Sequence, residues 1–124
     1  MNGYQITFYS TLGRRVNGKN VKDWLLGVAR GLGVPGATVF AGLTGYGHHR
    51  RFHSAHFLEL ADEPIMAVMV MSAEHKDLLL ARLAEAHADI FYVIQPVEMS
   101  ERPLDDCALR ADPGAISWHR DGSP

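Results

Sequence analysis

Four of the chain's seven histidines and two of its arginines fall in one short run, His48-His49-Arg50-Arg51-Phe52-His53-Ser54-Ala55-His56. Directly before it stands Gly36-Ala37-Thr38-Val39-Phe40-Ala41-Gly42-Leu43-Thr44-Gly45-Tyr46-Gly47. Glycine lets the backbone turn where a side chain would clash, and lets a ligand come close to the main chain. Backbone N–H groups in such turns form concavities that accept anions, and guanidinium forks match phosphate oxygens. Arg50 and Arg51 beside Gly45, Tyr46 and Gly47 therefore describe either an anion site or a solvated turn, with the Tyr46 ring either stacking on a base or packing the turn itself. A second chemistry is open to the same run, because neutral imidazole suits Zn, Cu or Ni. Its candidate ligands are His48, His49 and His53. Spacing limits that reading: in an extended chain His53 and His56 point to opposite faces and cannot share one ion. The ion would need His48 and His53 to meet across a loop, or histidines from several copies of the chain to converge.

Catalysis has less to stand on. Ser54, His56 and Asp62 lie close in sequence, but a nucleophilic serine needs a base in hydrogen-bond reach that is itself held by a third group, and this spacing does not impose that geometry. Cys107 has Asp105 and Asp106 beside it, and negative neighbours disfavour the reactive thiolate. Met66, Met69 and Met71 read as packing residues. The expectation is a chain that is not an enzyme.

The elements that must position these residues follow from periodicity. Tyr4, Ile6 and Phe8 alternate with Gln5 and Thr7, the pattern of a strand with one buried face. Leu12 to Lys19 reads as a loop rich in Gly and Arg. Asn20 is an N-cap for a helix carrying Val21, Trp24, Leu25, Val28 and Leu32 on one side, with Asp23 in its first turn and Gly33 and Pro35 as stop signals. Ala37 to Leu43 is expected to be a short buried strand, and Phe57 to Leu60 a strand that Ala61-Asp62-Glu63-Pro64 breaks before Ile65 to Met71 resumes it. Ser72 caps a second helix with Leu79, Leu80, Leu83 and Ala86 inside and His75 and His87 outside. Ile90 to Val97, rich in β-branched and aromatic residues, is the last strand. From Met99 the composition turns to Glu, Asp, Arg, Pro and Gly, so residues 1–98 are read as one domain and 99–124 as a polar tail.

The order β-α-β-β-α-β predicts an α+β, ferredoxin-like sandwich, a four-stranded antiparallel sheet with two helices on one face. Apolar residues in both alternation classes of one strand (Ile65, Val68, Met69, Val70) predict that the other face is also covered, by further copies of the chain. A chain of 124 residues with 47% hydrophobic and 21% charged residues fits one globular domain. A net charge of -2 gives no general attraction to nucleic acid or anionic membrane. The run from Ile65 to Met71 is too short to cross a bilayer, and Met1-Asn2-Gly3-Tyr4 lacks the basic and apolar regions of a signal peptide. One cysteine excludes an internal disulfide. A cytoplasmic location is expected.

On Gly36-Ala37-Thr38-Val39 leading to Gly45-Tyr46-Gly47, on His53, and on the Asp62-Glu63-Pro64-Ile65 break, the chain resembles the PII-like signalling proteins over about residues 4 to 98. It looks closest to the short PII-like family catalogued as domain of unknown function 190. The resemblance implies a homotrimer whose inter-subunit clefts bind a small anionic ligand, with an adenine nucleotide the leading candidate. It also implies a T-loop-like segment, residues 48–56, that changes shape with occupancy and contacts a membrane transporter, a channel or an enzyme as regulated partner. By position, Thr38 would lie at the base of the cleft, Gly45, Tyr46 and Gly47 along its wall, and His48, Arg50, Arg51 and His53 in or beside the loop. PII proteins hold triphosphates partly through a Gly-Asp-Gly-Lys turn. The matching connection here is Glu85-Ala86-His87-Ala88-Asp89, which points to a smaller nucleotide or another anion.

Overall fold

The alternation of the first segment produces a ten-residue strand, β1 (Asn2–Thr11), at the centre of the sheet. The computed structural model describes residues 1–46, 53–54 and 63–102. Ile6 and Phe8 point to one side of β1 and are fully buried, as a period of two requires of a strand with a single core face.

Residues read as a plain loop form a small hairpin instead, β2 (Arg15–Val16) and β3 (Lys19–Asn20). The signal for it is Asn17-Gly18. Both residues take positive φ, 51° and 80°, as a two-residue type I′ turn requires at its two central positions. Asn20 then does two tasks. Its side-chain oxygen accepts from the Lys22 N–H at 2.9 Å, and its amide donates to the Leu12 carbonyl, so the cap of the next helix also ties down the hairpin. That helix, α1 (Val21–Leu32), buries Val21, Trp24, Leu25 and Ala29 and ends at Gly33, whose φ of 86° is the left-handed cap expected of glycine.

Strand β4 (Gly36–Ala41) departs from expectation: it is an edge strand, with Thr38, Phe40 and Ala41 exposed. Its apolar composition predicted burial, but only Ala37 and Val39 pack against the core. After the two-residue strands β5 (Thr44–Gly45) and β6 (His53–Ser54), β7 (Pro64–Met71) alternates half-buried and buried positions without exception. The expected strand Phe57 to Leu60 lies outside the described residues. Ser72 caps α2 (Ala73–Glu85), and Leu79 and Leu83 are its buried residues. Two histidines expected on the outside of this helix differ from that reading. His75 is half-buried, with its Nδ1 3.3 Å from the Ser72 hydroxyl. His87 lies past the helix end, exposed and at a φ of 53°. The last strand, β8 (Phe91–Glu98), completes the sheet.

The four long strands lie in the order β4-β7-β1-β8, every neighbour antiparallel. With two helices packed on the face of Ile6, Phe8, Ala67, Met69 and Met71, this is the predicted ferredoxin-like sandwich. The core cluster holds residues of both helices and of one sheet face only.

Candidate functional site

The register assigns every residue of the helix-free face. Phe40, Met66, Tyr9 and Phe91 form one row across all four strands; Thr38, Val68, Thr7 and Val93 form the next. Gly36, Val70, Gln5 and Gln95 form a third. In the first row Phe91 is 69% exposed, Phe40 48% and Tyr9 44%, and the Tyr9 and Phe91 rings sit 5.9 Å apart. Aromatic rings in this number on one flat face are an apolar patch of the kind that marks an interaction surface. The sequence reading took Ile65, Val68, Met69 and Val70 together as the sign that this face is covered, and missed Tyr9, Phe40 and Phe91. The missing signal was available: Tyr9 shares the alternation class of Gln5 and Thr7, not of Ile6 and Phe8.

Thr38 stands in the second row, on the edge strand and exposed to solvent. At its end of the sheet the chain leaves β4 through Gly42. The Gly42 N–H donates to the Pro64 carbonyl at 2.7 Å, and a Cβ on Gly42 would lie 3.2 Å from the Pro64 ring. Any larger residue there would have to push the Pro64 ring back by a few tenths of an ångström, because the chain leaving β4 presses on the start of β7. Pro64 therefore has a second use, as the wall against which the chain turns at Gly42. Next, Gly45 pairs with His53 and Thr44 with Ser54 in a two-rung antiparallel ladder. The backbone of Gly45 and that of His53, two predicted site residues eight apart, are thus brought opposite one another. Tyr46 follows, 67% exposed. Gly47, His48, His49, Arg50 and Arg51 lie outside the described residues. Among the described residues no three His, Cys, Asp or Glu side chains group as a metal would require.

The same end of the molecule gathers other segments. The Leu12 N–H donates to the Glu63 carbonyl at 2.9 Å, one residue from the bond made by Gly42. Arg14 Nη1 donates to the Asp89 carbonyl at 2.9 Å, joining the hairpin to the turn between α2 and β8. At the opposite end a groove of about 500 Å³ is lined by Asn2, Gly3, Tyr4, Ala73, Pro96, Val97 and Glu98; among the described residues, none of the predicted site residues lines it. Among the described residues no helix is long and apolar enough to cross a membrane.

A four-stranded antiparallel sheet with one face given to two helices and the other carrying an exposed aromatic row defines a PII-like ferredoxin fold. Residues 3–99 match the model of the family described as DUF190, uncharacterized ACR, COG1993, and the chain belongs to that family. Solved structures agree. CPII from Thiomonas intermedia K12, in a structure bound to ADP and bicarbonate, is 17% identical, with a TM-score of 0.63 over 84% of this chain and 93% of that one. A protein assigned as PII-like and signaling from Thermus thermophilus is 16% identical, with a TM-score of 0.59 over 78% of this chain and 88% of that one. No curated protein is a detectable relative.

Proposed function

We propose that the chain is a non-catalytic regulatory protein that assembles as a homotrimer through its helix-free sheet faces. It binds a small anionic ligand, an adenine nucleotide, in the clefts so formed. The observation that carries this reading is the exposed row Phe40–Met66–Tyr9–Phe91 lying next to Thr38: one face offers both the surface that demands a second copy and a polar group at its rim. Support for the ligand class comes from CPII, which has been crystallised bound to ADP, AMP and bicarbonate. In this reading Thr38 and the backbone of Gly45, Tyr46 and Gly47 position the ligand. Arg50 and Arg51 offset its charge, while His48 and His53 flank it. The segment 48–56 then reports occupancy to a partner by population shift, since a ligand that touches the loop in one conformation favours that conformation by its differential affinity. A cytoplasmic location and a transporter, channel or enzyme as partner complete the reading.

Light scattering on the purified protein is expected to give three times the chain mass, and calorimetric titration with AMP, ADP, ATP and cyclic nucleotides is expected to give heat with at least one. A mass equal to one chain refutes the assembly. No heat with any of these nucleotides refutes the ligand class.

A further inference from the structure

The β2–β3 hairpin concentrates cationic side chains: Arg14, Arg15, Lys19 and Lys22 lie within nine residues, and Asp23 follows as the first acid. Their surroundings separate them. Lys22 pairs with the neighbouring Asp23 carboxylate at 3.1 Å. Arg15 turns back on its own hairpin and donates to the Gly18 carbonyl at 2.6 Å. Arg14 is fixed from three directions. Its N–H donates to the Thr11 carbonyl at 3.1 Å, its own carbonyl accepts from the Val21 N–H at 2.8 Å, and its Nη1 reaches the Asp89 carbonyl at 2.9 Å. The acceptor on its guanidinium is neutral, and no carboxylate lies within ion-pair distance of Arg14 among the described residues.

A guanidinium has five N–H donors in a fixed fork. One is used on the Asp89 carbonyl, in a solvent-exposed bond that holds the head of the half-buried Arg14 against this turn, and four remain for a ligand. Preorganised donors of this kind bind oxyanions with less entropy lost than a free surface lysine would. The connection between α2 and β8, which contains no lysine, arginine or glycine of its own from Glu85 to Asp89, is thereby given a cation from a different element. The hairpin is also fastened to the loop-bearing end of the sheet. Leu12, two residues before Arg14, bonds to Glu63, and Gly42 bonds to Pro64.

We infer that Arg14, held against the α2–β8 turn by the Asp89 carbonyl, is an anchor for phosphate oxygens, those of the bound nucleotide or of a free phosphoanhydride. This rests on the nucleotide reading above for the first source but not for the second. Two bonds from the guanidinium to a phosphate are charge-assisted and geometrically matched, while the exposed Asp89 carboxylate nearby opposes the anion weakly.

The test titrates wild type, Arg14→Gln and Asp89→Asn with ADP, pyrophosphate and adenosine. Losing a charged hydrogen-bond donor is expected to weaken ADP and pyrophosphate about tenfold in Arg14→Gln and to leave adenosine, which has no phosphate, unchanged. Asp89→Asn is expected to bind both anions about twofold more tightly. Wild-type affinity for ADP and pyrophosphate in Arg14→Gln overturns the assignment of Arg14 and leaves the nucleotide reading standing. Pyrophosphate binding that depends on Arg14, with no binding of ADP or adenosine, supports the anchor and refutes the nucleotide reading. No binding of any of the three by wild type refutes both. Should Arg14→Gln fail to fold, Arg14→Met, which keeps the apolar stem and removes the donors, takes its place, and unaltered pyrophosphate affinity in it overturns the proposal by itself.

Discussion

Phe91 offers the sharpest test of the proposed assembly, because the fold of one chain hardly uses it. Its side chain is 69% exposed; with about 200 Å² for a large aromatic residue, it leaves about 140 Å² in water. Covering that area at about 25 cal/mol per Å² contributes up to about 3.5 kcal/mol per subunit to association. Phe91→Ser removes nearly all of it. Within one chain its ring lies 5.9 Å from that of Tyr9, a contact worth about 1 kcal/mol. For a trimer, three such losses over two association steps should shift the concentration at which the assembly dissociates by up to about four orders of magnitude, and leave a folded monomer with nearly native far-ultraviolet circular dichroism. Phe8→Ala is the contrast. Phe8 is 1% exposed on the helix face, so its truncation should cost about 3–5 kcal/mol of chain stability and appear in denaturant unfolding of the monomer as well. Sedimentation velocity over a hundredfold range of concentration reads the difference. If Phe91→Ser sediments as wild type throughout, the helix-free face is not where the copies meet, and the argument from exposed aromatics fails.

Three local features carry predictions of their own. Asn20→Ala deletes both the bond to the Lys22 N–H and the one to the Leu12 carbonyl, so urea unfolding should show a loss of about 1–2 kcal/mol, at the upper end for an N-cap because two elements lose a tie. Gly33→Ala places a Cβ on a residue at φ 86° and should cost about 1 kcal/mol; an unchanged unfolding midpoint would mean that the cap relaxes. Gly42→Val pushes a side chain toward the Pro64 ring, 3.2 Å from where its Cβ would stand. Overpacking of about 1–3 kcal/mol is expected, with weakened nucleotide binding because the loop leaves the sheet at a new angle. Retained affinity in a folded Gly42→Val protein would show that this angle does not matter.

Periodicity made most of the sheet and both helices legible, and it did so through residues whose partners are close in sequence. Asn20, Ser72 and Gly33 announced helix ends because caps act within one turn. The hairpin was missed because Asn17-Gly18 sits between strands of two residues each, too short to show alternation. The exposure of β4 was missed for a different reason. An apolar strand reads the same whether its second neighbour belongs to the same chain or to another, and among the described strands β4 has β7 on one side only. Near the candidate site, the turn that begins at Gly42 could be placed from sequence, since backbone freedom is a property of single residues. Arg14 could not. Its relation to Asp89 spans 75 residues and exists only once β1 and β8 lie side by side.

On the proposed reading, that separation of faces lets one small sheet fold independently of what its other face binds. Ile6, Phe8, Met69 and Met71 spend their burial on the helices within a single chain, so the fold does not depend on what occupies the other side. Tyr9, Phe40, Phe91 and Thr38 stand on the same sheet, one residue out of phase with the core positions. A strand stiffened from one face presents the other face in fixed register, because shifting by one residue would exchange the two sets. The glycine run from Gly42 to Gly45 then begins at a rigid point, the bond to Pro64, and whatever the following segment does is measured against that point. On the proposed reading, a ligand bound at this end of the sheet would act on the segment after Gly45 and leave the core in place.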